Sequence, residues 1–367
     1  MSQYMRVLCG HTSYLVLEII HVLMKKINDR KSISTIAAVI GGILVLQMIF
    51  IGTTQDASAH IQKSCDLTTS DRARGNVIKN TNEVWAALGG TGKIIKYPAG
   101  ITNCTTQITY YTVGGDPTFL SVSGSTRVVF TEYSSAKILV FRTDTGTVER
   151  TVTLSYNPWD IVTDPSDSNK VWFTHPNTNR FASMVVSTGS VTTYTITSDT
   201  NIRTRANAAD TTYIFMTDTG TSQKILRYTK SSGSLISKVV TEGISYGITL
   251  DNTNAQIWGT LYTPNKLFDM TKSLSSYSLL NGHTGTSGMY RIDMASTDVL
   301  VTYLTSGHTG AIHVIPPGAY HDADFVGTRP YDVSYDISDL NLIGSQVTVE
   351  GNASNKAKVV ELTHFPS

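Results

Sequence analysis

Two histidines occupy the same four-residue context, Gly-His-Thr-Gly, at His283 and His308. An imidazole titrates near neutral pH, so either histidine could act as a general base that removes a proton from a bound ligand. The alternative is that both stretches are ordinary glycine-rich turns with an exposed histidine. These two residues are the candidate catalytic groups of the sequence.

Arginines, carboxylates and aromatic residues recur where predicted strands begin or end. Such a mixture could bind a polar ligand with flat groups through ion pairing and stacking. The residues predicted to contact this ligand are Trp159, Asp160, His175, Arg203, Tyr246, Arg291, Arg329 and Tyr331. In the competing interpretation, arginine and aspartate simply pair with each other, as Arg291 could with Asp160 or Asp332.

The elements that must position these residues form an internal repeat. An apolar strand recurs at intervals of 42 to 48 residues, counted from Val84, Val128, Val171, Tyr213, Ile257, Val299 and Val347. In each unit a turn, such as the one at Asp116-Pro117, is followed by a first strand. The apolar strand comes second, and two further strands follow it. Four strands in each unit of about 43 residues are typical of a propeller blade. We therefore predict an all-β fold over residues 60–367, a seven-bladed β-propeller with four antiparallel strands per blade.

The predicted ring also places the candidate residues. Loops that enter a first strand and loops that leave a second strand emerge on one face around the central channel, here called the channel face, where ligand sites usually form. The last repeat stops one strand short, and we predict that Ile61 to Thr68 supplies its outer strand. Large apolar residues of the second strands should lie in the core between blades, namely Phe130, Trp172, Phe173 and Trp258.

The repeat pattern resembles that of streptogramin lyases of the virginiamycin B lyase type, and related propellers with Y-V-T-N repeats look similar. The match is carried by Asn-Pro-Trp-Asp-Ile at residues 157–161, by Asp164-Pro165 and by Val-Trp-Phe-Thr at residues 171–174. The resemblance implies a carbon–oxygen lyase that opens a cyclic depsipeptide ester by elimination, using a histidine base and Mg²⁺. It implies that Glu132 and Asp218, at corresponding positions of two blades, hold the metal ion.

A second function comes from a different class, that of a non-catalytic extracellular or cell-surface propeller. Such a protein would bind a glycan, a peptide or an envelope protein through the channel face. Only 16% of the residues are charged, and sequons stand at Asn103 and Asn352. A lyase should lose activity in a chelator, whereas a binding propeller should be unaffected.

The charge balance limits the partners in both cases. The formal net charge is +1, which excludes a nucleic-acid partner attracted by bulk charge. We expect a monomer with a small molecule, a peptide or a glycan as the ligand.

The amino-terminal part predicts export. A basic stretch at residues 25–31 precedes an apolar run from Ile33 to Gly52, and Ala57-Ser58-Ala59 has the small residues of a signal cleavage site. We predict that residues 1–23 are an upstream extension and residues 24–59 an apolar signal helix. An uncleaved membrane anchor and a prepilin-type leader are the alternatives. In each case residues 60–367 are secreted or held at the cell surface, and a membrane is contacted only through residues 33–52 if they are not cleaved.

Cysteine usage agrees with export. Cys65 and Cys104 are an even pair in the exported part, separated from Cys9 in the upstream extension. Because extracytoplasmic compartments are oxidising, we predict one disulfide between Cys65 and Cys104.

Overall fold

The computed structural model describes residues 60–67, 72–80, 83–98, 101, 103–199, 201–240, 242–251, 255–281, 288–295, 298–303, 308–313, 319–325, 330–334, 346–349 and 357–363. Across these ranges the regular structure is all β-strand. None of these residues belongs to a helix with the length and apolarity needed to cross a membrane. The predicted signal or anchor helix at residues 24–59 lies outside the described residues.

The described strands form seven four-stranded antiparallel sheets. In chain order the strands are β1 (His60–Asp66), β2 (Arg72–Asn80), β3 (Glu83–Gly89), β4 (Lys93–Tyr97), β5 (Thr109–Thr112), β6 (Pro117–Ser123), β7 (Arg127–Glu132), β8 (Lys137–Arg142), β9 (Thr147–Thr153), β10 (Ile161–Asp164), β11 (Asp167–His175), β12 (Arg180–Val185), β13 (Ser190–Thr195), β14 (Thr204–Ala209), β15 (Tyr213–Asp218), β16 (Lys224–Thr229), β17 (Leu235–Val239), β18 (Ser245–Asp251), β19 (Gln256–Leu261), β20 (Lys266–Thr271), β21 (Tyr277–Asn281), β22 (Met289–Ala295), β23 (Asp298–Tyr303), β24 (His308–His313), β25 (Ala319–Phe325), β26 (Pro330–Ser334), β27 (Gln346–Val349) and β28 (Lys358–Thr363).

Six of these sheets use four consecutive strands, in the order β2 to β5, β6 to β9, β10 to β13, β14 to β17, β18 to β21 and β22 to β25. The repeated apolar segments of the sequence are the second strands, β3, β7, β11, β15, β19, β23 and β27. The first strands contact one another from sheet to sheet, and β26 also contacts β2. The predicted all-β architecture of repeated four-stranded antiparallel units is therefore confirmed.

The remaining sheet combines both ends of the described chain. Its order is β1, β28, β27, β26, and Cys65 of β1 lies opposite Val359 of β28. The amide of Leu67 continues the pairing by donating to the carbonyl of Ala357 at 2.7 Å. The prediction that residues near Ile61 supply the missing outer strand is confirmed.

The predicted disulfide is also confirmed. Cys65 is bonded to Cys104, with their Cα atoms 5.3 Å apart. Cys104 lies in the connection between β4 and β5, two strands of a different sheet from that of β1. The bridge therefore links two sheets covalently.

The apolar core lies between neighbouring sheets. Trp85 of β3 packs in one cluster with Phe130 of β7, and Trp172 of β11 packs in another with Met216 of β15. Trp85, Trp172 and Phe130 are at most 1% exposed. Phe173 and Trp258 are equally part of the buried core, as predicted. This packing fixes the sheets against each other and so positions their first strands.

Candidate ligand-binding site on the channel face

Six first strands carry a shift in pairing register close to their start. The shifts lie between residues 73 and 76, 117 and 120, 204 and 207, 245 and 247, 289 and 292, and 330 and 332. A bulge places two residues opposite one and re-aims their side chains. Consequently, Tyr290 and Arg291 both contact residues of other sheets, although they are adjacent in the chain.

Threonines near the ends of second strands hold these irregular starts. Thr131 accepts a hydrogen bond from the amide of Phe119 at 3.2 Å and donates to the carbonyl of Trp159 at 2.7 Å. Thr260 likewise accepts from Gly247 and donates to the carbonyl of Tyr290, both at 2.9 Å. Thr174 repeats the pattern with the amide of Asp160 and the carbonyl of Arg205. Each threonine therefore ties the channel-face end of its own sheet to that of the next.

Five aromatic residues at or just before the starts of first strands form a connected layer, here called the aromatic layer: Phe119, Trp159, Tyr246, Tyr290 and Tyr331. Ring centroids are 5.4 Å apart for Phe119 and Trp159, and 5.2 Å apart for Tyr290 and Tyr331. Tyr246 joins through Tyr290 at 5.5 Å. Edge-to-face and tilted contacts of this kind are favourable and rigid. The layer thus provides a preformed aromatic surface.

Next to this layer lies a cavity of about 480 Å³, here called the channel-face cavity. Its lining includes Arg72, Arg74, Asp116, Tyr133, Ser134, Trp159, Pro176, Asn177, Arg205 and Tyr331. Tyr133 contacts Trp159 edge to face at 5.2 Å, and its hydroxyl accepts a hydrogen bond from Asn177 at 2.6 Å. Aromatic walls combined with a few polar groups are typical of small-molecule sites.

Arg205 occupies the border between the aromatic layer and this cavity. Its guanidinium carbon lies 4.3 Å from the ring centroid of Trp159 and 4.5 Å from that of Tyr246. One terminal nitrogen donates to the hydroxyl of Tyr290 at 3.0 Å. Stacked guanidinium groups keep their N–H edge available for further hydrogen bonds.

A second cavity, of about 280 Å³, is the axial cavity; its lining includes Asn76, Phe119, Asp160, Asn207, Arg291 and Asp332. Both terminal nitrogens of Arg291 donate to Asp160 at 2.9 Å, and its Nε lies 3.6 Å from an oxygen of Asp332. Asp332 also accepts the amide of Asn76 at 2.9 Å. The interpretation that Arg291 pairs with Asp160 or Asp332 therefore describes its contacts.

The axial cavity holds two carboxyl groups, those of Asp160 and Asp332, around the single guanidinium of Arg291. Burial, reinforced by the neighbouring charge of Asp160, raises the pKa of Asp332 to about 7 despite the opposing attraction of Arg291. Arg291 itself also stacks on Phe119, with its guanidinium carbon 3.9 Å from the ring centroid. One arginine thus faces two carboxylates in a shielded space.

The predicted metal ligands, Glu132 and Asp218, end the second strands of two different sheets. Burial raises the pKa of both carboxyl groups. Asp218 accepts amide hydrogen bonds from Arg203, Gly220 and Lys224. Glu132 accepts one from Ser135 at 2.7 Å, and its other oxygen is buried without a hydrogen-bond partner.

These contacts test whether Mg²⁺ fits. In the described ranges no three His, Cys, Asp or Glu side chains are grouped so that they could hold a metal ion. The oxygens of Asp218 are directed at backbone amides. Glu132 and Asp218 therefore do not fit a shared magnesium site.

The other predicted residues lie in different surroundings. Trp159, Tyr331 and Tyr246 belong to the aromatic layer. The side chain of Arg203 is exposed. His175 is 2% exposed, its Nδ1 lies 3.1 Å from the carbonyl of Asn157, and burial lowers its pKa. Arg329 and His283 lie outside the described residues, as do the contacts of the His308 side chain. His308 begins β24, opposite Tyr303.

Arg205 is an entry position of a predicted first strand, but it is not among the eight residues predicted to contact the ligand. A signal for it was present, because Arg205 lies at the start of a predicted first strand, as Trp159 does. Its stacking partners come from three other sheets, and sequence spacing alone does not identify them.

The fold is similar to that of solved streptogramin lyases. A streptogramin B lyase structure superposes with a TM-score of 0.70 at 17% identity, over 84% of this chain and 100% of the other. Virginiamycin B lyase from Staphylococcus aureus superposes with a TM-score of 0.69 at 19% identity, over 83% of this chain and 99% of the other.

A third structure is a catalytically inactive variant of the Staphylococcus aureus lyase with quinupristin. It superposes with a TM-score of 0.67 at 19% identity, again over 83% of this chain and 99% of the other. No protein-family model matches the chain, and no curated protein matches its sequence. The resemblance to a streptogramin-lyase-like propeller is thus confirmed at the level of the fold.

Proposed function

We propose that residues 60–367 form an exported seven-bladed propeller that binds a small molecule, a peptide or a glycan in the channel-face cavity. One observation carries this proposal: a cavity of about 480 Å³ is walled by Trp159, Tyr133 and Tyr331 and bordered by arginines. Rigid strands hold these residues before any ligand arrives, and preformed sites of this composition favour binding.

The seven-bladed ring is supported by the contacts at its junction. The amide of Asn76 in β2 donates to Asp332 in β26, across 256 residues of sequence. The pairing of β1 with β28 completes the sheet at the same junction. A closed ring leaves no long sheet edge open, which suits a monomer outside the cell.

Export is supported by the disulfide between Cys65 and Cys104. Disulfides persist in oxidising compartments, in agreement with the signal-like segment at residues 24–59. Secretion and retention at the cell surface both satisfy this argument, and cleavage after Ala59 decides between them. Mass spectrometry of the exported protein should find His60 as its first residue if the signal is cleaved.

Fluorescence of Trp159 tests the binding function. The chain has four tryptophans, and Trp159 lines the cavity, whereas Trp85, Trp172 and Trp258 are at most 2% exposed. Benzamide, a flat neutral probe, should therefore change the emission in a saturable manner, and Trp159→Phe should abolish the change. Absence of saturation in the wild-type protein, together with no NMR shift in Tyr133 or Tyr331, would contradict the proposal.

The second candidate function is the carbon–oxygen lyase, favoured by the fold shared with a lyase solved in the presence of quinupristin. In this case His283 or His308 would act as the base that removes the proton next to a carbonyl of the substrate. Ring opening by elimination gives a linear isomer of the substrate. Incubation with quinupristin should then change its retention time at constant mass. Unchanged quinupristin would exclude its use as a substrate.

A further inference from the structure

Arg205 and Arg291 line neighbouring cavities, and they differ in whether a carboxylate lies beside the guanidinium. Arg291 has Asp160 at 2.9 Å and Asp332 at 3.6 Å. Arg205 forms no ion pair with any carboxylate in the described part of the chain; it contacts the phenol of Tyr290 and the rings of Trp159 and Tyr246. A cation in a shielded position without a counter-ion is unfavourable unless something else balances it.

The geometry around Arg205 restricts how a counter-ion could approach. Trp159 and Tyr246 both lie close to its guanidinium, at 4.3 and 4.5 Å. The hydroxyl of Tyr290 occupies one N–H direction at 3.0 Å, and Nε is buried without a hydrogen-bond acceptor. A guanidinium packed between rings binds anions along its edge, where planar carboxylates and phosphate oxygens accept two parallel hydrogen bonds.

The rest of the cavity supports an anion. Arg72, Arg74 and Arg205 line it, opposed by one carboxylate, that of Asp116. The carboxylate of Asp116 accepts hydrogen bonds from the amide of Gly90 at 3.0 Å and from the hydroxyl of Ser134 at 2.9 Å. The lining therefore carries more positive than negative charge. Electrostatic complementarity then favours a negatively charged ligand.

We propose that the channel-face cavity binds a ligand in which a carboxylate or phosphate group is attached to a flat group. Arg205 receives the anion on its N–H edge, and Trp159, Tyr133 and Tyr331 contact the flat group. This inference rests on the proposed binding function and narrows the class of ligand. Neutral glycans and cationic peptides are excluded by it.

Three probes of similar shape test the inference: benzamide, benzoate and phenyl phosphate. Their dissociation constants are measured by NMR titration on the full exported protein. Because a charge-assisted hydrogen bond to Arg205 is shielded from water, the tighter-binding anion should have a dissociation constant at least about tenfold lower than that of benzamide. A preference for benzoate assigns the carboxylate, and a preference for phenyl phosphate assigns the phosphate.

Variants identify the residue responsible. Arg205→Gln should reduce the preference for the anion to about onefold while the affinity for benzamide changes little. Arg205→Lys retains the charge but not the planar fork, and should give an intermediate preference. Arg142→Gln is the matched control, because Arg142 ends β8, its side chain is 37% exposed and it pairs with Asp144, so this variant should retain the full preference. Thermal melting shows which variants are folded. If Arg205→Gln is unfolded, the anion preference of Arg205→Lys tests the role of Arg205.

The outcomes separate this inference from the proposed function. If benzamide binds and neither anion binds more tightly, the anion site is refuted while the binding cavity remains. If the anion preference persists in Arg205→Gln and Arg205→Lys, the role assigned to Arg205 is wrong. If none of the three probes binds, both proposals fail.

Discussion

The hydroxyl of Thr131 donates a hydrogen bond to the carbonyl of Trp159 at 2.7 Å, and the two residues belong to neighbouring units. The same hydroxyl accepts the amide of Phe119 at 3.2 Å. One buried side chain therefore holds Phe119 and Trp159, two members of the aromatic layer, at their backbones. The position of the cavity wall depends on a residue that does not line the cavity.

Replacement of this threonine should loosen the wall. Thr131→Val leaves a buried amide and a buried carbonyl without this partner, so we expect a loss of about 1–3 kcal/mol in the free energy of unfolding. Thr131→Ser keeps the hydroxyl and is the matched control, with a loss below about 1 kcal/mol. Urea unfolding measures both. Equal losses in the two variants would show that the hydroxyl bonds are unimportant.

Arg291 should act on stability. Arg291→Met leaves Asp160 buried without its partner, and breaking a buried pair in this way costs about 3–5 kcal/mol. The double variant Asp160→Leu with Arg291→Met removes this ion pair and leaves Asp332, which can be neutral, so it should recover part of that loss. Binding of benzamide should be unaffected in every variant that is folded. A stable Arg291→Met protein with weakened binding would instead make Arg291 a ligand contact.

The raised pKa of Asp332 predicts a dependence of stability on pH. Its pKa is about 7 in the folded protein and about 3.9 in an unfolded chain, so the folded state binds the proton more tightly. The resulting stabilisation is present below about pH 4 and is lost as the pH rises through about 7. Relative to Asp332→Asn, the wild-type free energy of unfolding should therefore fall by about 2–4 kcal/mol between pH 4 and pH 8.

Asp164 provides a contrast for this measurement. Burial alone would raise its pKa, but hydrogen bonds from Lys230, Ser166 and Trp172 hold the pKa at about 2. Its contribution is present above about pH 4 and is lost as the pH falls towards 2, which is the opposite sign. If Asp332→Asn and Asp164→Asn shift the pH profile in the same direction, the assignment of Asp332 is wrong.

The architecture could be predicted because its signals are local. Each second strand is an apolar run at a regular interval, and residues such as Val128 and Val171 face a core that needs them at every repeat. The closing strand could be predicted for the same reason, since the last repeat has too few strands. Pairing of Cys65 with Cys104 then followed from the compartment.

The site was less predictable because it depends on register and on long-range contacts. The irregular start of β22 brings Tyr290 and Arg291 into separate environments, and no residue type in the sequence marks that shift. Arg205 and Arg291 look alike in sequence, yet Arg291 meets a carboxylate 131 residues away and Arg205 meets aromatic rings. Only the recurring threonines of the second strands, such as Thr131 and Thr174, offered a local signal for the tethered strand starts.

The disulfide should control how firmly the amino-terminal strand is held. Cys65 is fully buried in β1, and its bond to Cys104 spans a sequence separation of 39 residues. In the chain-entropy view, a bridge of this span stabilises the fold by roughly 3–4 kcal/mol. Reduction, or the double variant Cys65→Ser with Cys104→Ser, should therefore lower the melting temperature. Amide exchange should accelerate more in residues 64–66 than in β7, which lies in a sheet without a cysteine. An unchanged melting temperature in a protein whose two thiols are shown to be reduced would refute this role.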